Sequence, residues 1–260
     1  MYNYSQQLFR QIKLKNDTNL SNKVKGEIDM KKNLVKMLKM MLTATLALGM
    51  LAGCGSKESN TIVMGTNAEF EPFEYREGDK VVGFDVEIAK LFAEKMGKEL
   101  KIEDMAFDTL TLAVESGKID FIAAGMSVTE ERKTQVDFSD PYFTSKQMII
   151  VSSDNTDITS NEDLVGKKIG VQLGTTGDLF ASDIEDAEIV AFDKGSMAIL
   201  DLKNKKVDAV IIDAEPAKRF VAGQDDLKIL DTPFVEEEYA IAVKKGNTKL
   251  VEELNAFLKE

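Results

Sequence analysis

The side chains available for chemistry are few in kind. The 260 residues include no histidine, no tryptophan and one cysteine, Cys54. Without histidine there is no Ser-His-Asp triad, no Cys-His pair and no His-ligated metal. A single cysteine allows no internal disulfide, no paired-thiol redox centre and no cysteine-rich zinc site. No metal and no cofactor is therefore expected, and what remains is charge and hydrogen bonding. Arg132 follows Glu130-Glu131. A guanidinium forms two parallel hydrogen bonds to a carboxylate, which lysine cannot copy; the same spacing also suits a solvated helix charge. Asp213 ends the apolar run Val207–Ile212 and, by position, reads as a helix N-cap before Ala214-Glu215-Pro216. Gly174-Thr175-Thr176 reads as a turn into a helix, whose first N–H groups suit a carboxylate. It lacks the Gly-Lys-Ser/Thr of a phosphate-binding loop, so no nucleotide is implied. Ser127 brings a hydroxyl able to donate or accept. Gly125 offers an uncrowded carbonyl or is a plain turn glycine.

The elements that must position these groups alternate between strand and helix. Thr61–Thr66 reads as a strand. Residues 85–96 have near-helical apolar spacing and stop at Gly97. A second helix is expected over 110–114, with Asp108 as N-cap and Gly117 as its stop. Residues 119–124 read as a strand buried on both faces. The same grammar returns: a strand at 168–173, a helix from Thr176, a strand at 188–192, a helix at 196–204 and a strand at 207–212. This predicts an α/β fold with a largely parallel sheet. The stretches Lys118-Ile119-Asp120-Phe121 and Lys206-Val207-Asp208-Ala209 echo each other, with their aspartates 88 positions apart. Two similar lobes in tandem are expected, with extended crossovers at 147–151 and 239–243. The cleft between such lobes is the default site.

Charge divides the chain. Residues 1–53 carry nine basic and three acidic side chains, and the remainder 24 basic and 42 acidic, within a net charge of −12. So acidic a body argues against nucleic acid as a partner. Basic residues run from Lys31 to Lys39, followed by 17 uncharged residues from Met40 to Ser56. That run is shorter than the ~20 residues of a spanning helix and fits a secretory signal. Leu51-Ala52-Gly53-Cys54 resembles the bacterial lipobox, which implies cleavage before Cys54 and lipid on that residue. Stable anchoring then needs a diacylated cysteine. Residues 1–29 read as a polar extension ahead of the natural start, 30–53 as the signal and 54–60 as a tether.

Five further segments, in order, resemble bacterial extracellular solute-binding proteins of polar amino-acid ABC importers. They are Gly65–Tyr75, Val82–Val86, Ala124–Arg132, Phe138–Tyr142 and Gly170–Thr176. The resemblance spans nearly all of residues 61–260. It implies a two-lobe, periplasmic-binding-protein type 2 (Venus-flytrap) fold with two hinge crossovers. Lobe 1 is expected at 61–144 plus 239–260, and lobe 2 at 145–238. Family members continue past this endpoint with another helical segment, so lobe 1 is expected to be truncated. The implied function is a monomeric receptor that is not an enzyme. It would bind a free L-amino acid, polar, with arginine or another cation and glutamine as candidates, and deliver it to a permease driven by ATPase subunits. Arg132 matches the family's carboxylate-binding arginine and Asp213 its ammonium-binding aspartate. Phe70 and Phe107 match aromatics that sandwich the ligand side chain; alone they read as core. Gly125, Ser127, Thr175 and Thr176 complete the expected polar shell, and Asn67, Glu69 and Gln172 are variable positions. Some relatives that bind cations carry an acid where Asn67 stands. Glu69 could compensate, but reads better as a solvated loop charge. The alternatives are a dehydratase on the same fold, needing a cleft carboxyl with a raised pKa, for which Glu69 is the obvious candidate, or an extracellular sensor domain.

Overall fold

A computed structural model describes residues 60–260. The expected extension, signal and lipidated Cys54 lie outside the described residues. The rest forms two lobes, each an α/β layer around its own sheet. In the first sheet the strand order is Glu99–Asp104, Thr61–Thr66, Phe121–Ile122, Ala242–Lys244, Val136–Phe138. The first three run parallel and the last two pair antiparallel. In the second sheet the order is Glu188–Phe192, Lys168–Gln172, Ala209–Asp213, Phe143–Ser152, Leu227–Ile229, and Val235–Tyr239 also pairs with Phe143–Ser152. Ala209–Asp213 is buried at all five residues, as befits a strand covered on both faces. Val210 and Ile212 pack with Ala198 and Leu202 on one side, and Ala209 and Ile211 pack with Ala181 and Leu164 on the other.

The helices fill the faces their apolar spacing predicts. Phe84–Lys95 and Thr248–Leu258 place Val86, Phe92, Leu250 and Leu254 on one face of the first sheet. Leu110–Glu115 places Leu110 and Val114 on the other. The sequence echo has a concrete basis. The Asp120 carboxylate accepts from the Val63 N–H at 2.7 Å, and Asp208 accepts from the Lys168 N–H at 2.9 Å. Each aspartate thus ties down a backbone N–H of the neighbouring parallel strand, once per lobe.

Four expectations are corrected. Residues 147–151 are not a crossover but the centre of the second sheet, opposite Val210–Asp213. An apolar run buried on both faces belongs in a sheet; the chain crosses earlier, at the more polar 139–142. Tyr142 N–H donates there to the Tyr239 carbonyl and Ser139 N–H to the Ile241 carbonyl, both at 2.9 Å, so the two crossings brace each other. Asp108 is not an N-cap. It lies within the 3₁₀ turn Phe107–Thr109, and Thr109 holds the cap position with no capping bond, its hydroxyl donating instead to the Ala106 carbonyl at 2.7 Å. The strand expected over 119–124 pairs only at Phe121–Ile122. The one expected at 207–212 begins at Ala209, because Asp208 turns its carboxylate to Lys168. The sequence reading also missed a three-stranded hairpin layer, Glu69–Phe70, Glu74–Glu77 and Lys80–Val82.

Candidate functional site

Ten residues singled out in the sequence line one chamber between the sheets. From the first lobe come Asn67, Phe70, Phe107, Gly125, Ser127 and Arg132. From the second come Gln172, Thr175, Thr176 and Asp213. Its free volume is about 10 Å³, room for roughly one water. Arg132, Phe107 and Thr175 also line an open groove of about 380 Å³, within the ordinary range for small-ligand sites.

Arg132 sits on the short helix Glu130–Gln135, capped by the Thr129 hydroxyl. Its guanidinium donates to the Ser127 carbonyl at 2.8 Å and across the lobes to the Gly174 carbonyl at 2.9 Å. It also stands 5.3 Å from the Phe107 ring centre, within cation–π range. The guanidinium is therefore half-buried and held by two carbonyls, not the solvated helix charge its neighbours suggest. Burial pulls its pKa down, opposed by the charges of Glu237, Asp213 and Glu131. Phe107 thus meets Arg132, while Phe70 packs among Phe73 and Tyr239.

Asp213 occupies an N-cap position, yet makes no capping bond. Its carboxylate instead accepts from Gln147 Nε2 at 2.7 Å and from the Tyr239 hydroxyl. Burial holds its carboxyl well above the usual range, and the nearby Glu237 charge adds to this. Glu237 accepts from the same Gln147 nitrogen at 2.8 Å and from the Thr176 hydroxyl at 2.6 Å.

The turn at Gly174 is less open than the sequence suggested. Gly174 N–H donates to the Asp178 carboxylate, and the Thr175 hydroxyl caps the helix at Asp178 N–H. Those amides are satisfied internally. What the turn presents to Arg132 is a carbonyl.

Asn67 Nδ2 donates to the Met105 carbonyl, and its Oδ1 accepts from Gln172 Nε2 at 3.0 Å across the lobes. Glu69 lies outside the chamber and pairs with Lys194 of the other lobe. Gly125 has φ +52°, its N–H donates to Asp85 Oδ2 at 2.8 Å, and an added Cβ would stand 2.7 Å from the Phe70 ring. A plain turn would not demand glycine; this position does.

Sequence reasoning missed Glu74, which lines the chamber, is 1% exposed and has no donor to either carboxyl oxygen. Burial pushes its pKa well up, reinforced by Asp85, Asp213 and Asp104. Behind it Asp85, raised by burial to about 6, accepts from Gly125 N–H and the Tyr142 hydroxyl. Glu74 lay in plain view within Phe73-Glu74-Tyr75. Glu237 was signalled by period two, which puts it on the face of Val235 and Tyr239 despite acidic neighbours on both sides.

The chamber is therefore lined by one half-buried guanidinium and two buried carboxyls, Asp213 and Glu74. Such a site pairs with a ligand bearing one carboxylate and more than one cationic group. The profile of bacterial extracellular solute-binding proteins, family 3, matches residues 62–260. The arginine-binding extracellular protein ArtP of Bacillus subtilis is 38% identical over 233 residues, covering 85% of this chain and 91% of its own. The arginine-bound structure of truncated ArgBP from T. maritima is 44% identical with a TM-score of 0.74, covering 77% of this chain and 95% of its own. An ancestral arginine-binding protein bound to glutamine is 43% identical with a TM-score of 0.71, covering 77% and 91%.

Proposed function

Because the chain belongs to family 3 of the bacterial extracellular solute-binding proteins, we propose that it is the receptor of an ABC importer for a free L-amino acid with a cationic side chain, arginine first. The observation that carries this choice is Glu74, a buried carboxyl without a donor facing a chamber that already holds Arg132 and Asp213. Arg132 takes the α-carboxylate, Asp213 the α-ammonium and Glu74 the guanidinium. Glutamine offers an amide in that third place and binds more weakly. A free amino acid does not fit in about 10 Å³, so entry from the groove parts the lobes. The ligand carboxylate then replaces the Gly174 carbonyl on Arg132, and closure re-forms the other cross-lobe contacts, such as Glu69–Lys194, around the ligand. The lobes move about the braced crossings at 139–142 and 240–241.

Among the described residues no helix is long and apolar enough to cross a membrane. The receptor is held at the outer face by lipid on Cys54 and hands its ligand to a permease. Partition into the detergent phase, lost in Cys54→Ser, checks the anchor. Thermal unfolding against separate L-amino acids checks the ligand. At 100 times Kd, arginine should add about 2.7 kcal/mol and raise Tm by about 5–10 °C. A transition that no amino acid moves would refute the reading.

A second reading, a lyase on a small carboxylate, gains one observation. The buried acid it requires exists, but it is Glu74 and not Glu69. Turnover of prephenate- or arogenate-like acids above blank, abolished in Glu74→Gln, would establish it.

A further inference from the structure

Beneath Asp213 lies a second carboxyl with no evident task. Asp213 and Glu237 are 5% and 9% exposed and share one amide nitrogen, Gln147 Nε2, at 2.7 and 2.8 Å. The same nitrogen also lies 3.1 Å from the Thr176 hydroxyl oxygen. One amide with two hydrogens faces three acceptors. The charged and titratable groups facing the pair are Arg132 from the helix Glu130–Gln135, Glu74 from its hairpin strand with Asp85 behind it, and Tyr239 from Glu237's own strand. Arg132 is the cation among them, and both its arms are bonded to carbonyls. Two carboxylates so placed repel, and full ionisation of both is costly.

We propose that Asp213 carries a proton in the free protein, held there by the Glu237 carboxyl sharing Gln147 Nε2 with it, and that the ligand's α-ammonium displaces that proton to solvent on capture. This rests on the reading of the chamber as an amino-acid site. The exchange balances: a singly charged dyad plus a cationic ammonium becomes a doubly charged dyad bound to the ammonium, plus one proton in the buffer. Glu237 is then a positioning residue. It keeps Asp213 neutral enough to be buried when the site is free and lets it ionise fully when the ammonium arrives.

The chain has no histidine, so no imidazole obscures protons exchanged between pH 5 and 7. Calorimetry of L-arginine binding to the protein, in buffers of different ionisation enthalpy, counts them directly. The expected result is release of close to two protons, one from the pair and one from Glu74 as it meets the guanidinium, with the association constant rising with pH while both are protonated. In Glu237→Gln the count should fall by close to one and the affinity depend less steeply on pH. The wild-type count stands as a test even if this variant fails to fold. Arginine binding with no proton exchanged overturns the dyad but leaves the receptor reading intact. Release unchanged in Glu237→Gln also overturns it, by placing the proton elsewhere. Absence of arginine binding overturns both.

Discussion

Replacing Arg132 by alanine removes the guanidinium proposed to grip the ligand carboxylate, and the structure sets the size of the effect. A carboxylate on the fork gains two charge-assisted hydrogen bonds, each about 1.5–3 kcal/mol. Against this, the guanidinium must leave the Gly174 carbonyl, which it now meets at 2.9 Å, at a cost of about 1 kcal/mol. The net loss in Arg132→Ala is therefore about 3 kcal/mol, or about 150-fold in Kd. Arg132→Lys restores a single point donor and should remain about tenfold weaker than the parent. Isothermal calorimetry with L-arginine reads both, and ligand-free Tm checks that each variant folds. Arg132→Ala binding within about threefold of the parent, with normal Tm, would show that the guanidinium does not hold the ligand and that its bonds to Ser127 and Gly174 are its whole role.

Three further outcomes are expected. Glu74→Gln should weaken arginine binding by about 10–150-fold, the cost of one charged pair, while changing glutamine binding little; equal effects on both ligands would remove Glu74 from the side-chain subsite. Asp85, lifted from 3.8 to about 6, makes its full contribution to stability below pH 4 and loses it as pH rises through 6. That loss is about 3 kcal/mol by linkage, and denaturant titrations of wild type against Asp85→Asn should differ by this pH slope; parallel pH profiles would contradict it. Gly125→Ala must place a Cβ 2.7 Å from the Phe70 ring at φ +52°, and should lower stability by about 1–3 kcal/mol, read as a fall in Tm; an unchanged Tm would show that Phe70 yields freely.

Much of this was legible in the residue order. Apolar periodicity placed the helices near 85–96 and 110–114, and the paired aspartates foretold two lobes. The ten named positions converge because they stand at strand ends, in the loops after them, or in the first turns of the short helices that follow, where α/β folds gather their sites. What escaped was decided by tertiary contact. The run at 147–151 reads as a linker until its partners Val210–Asp213 are known. Asp213 reads as an N-cap until Gln147 and Tyr239 claim its carboxylate. Arg132 reads as solvated until the carbonyls of Ser127 and Gly174 enclose it. Glu74 and Glu237 sit among acids and aromatics that look like surface and core, and only burial without a cationic partner marks them out.

A crystal structure of the protein grown with L-arginine tests the central claim most directly. The account predicts the α-carboxylate about 3 Å from both terminal nitrogens of Arg132, the ammonium on Asp213 and the guanidinium on Glu74. Arginine seated in the outer groove, touching neither Asp213 nor Glu74, would contradict it.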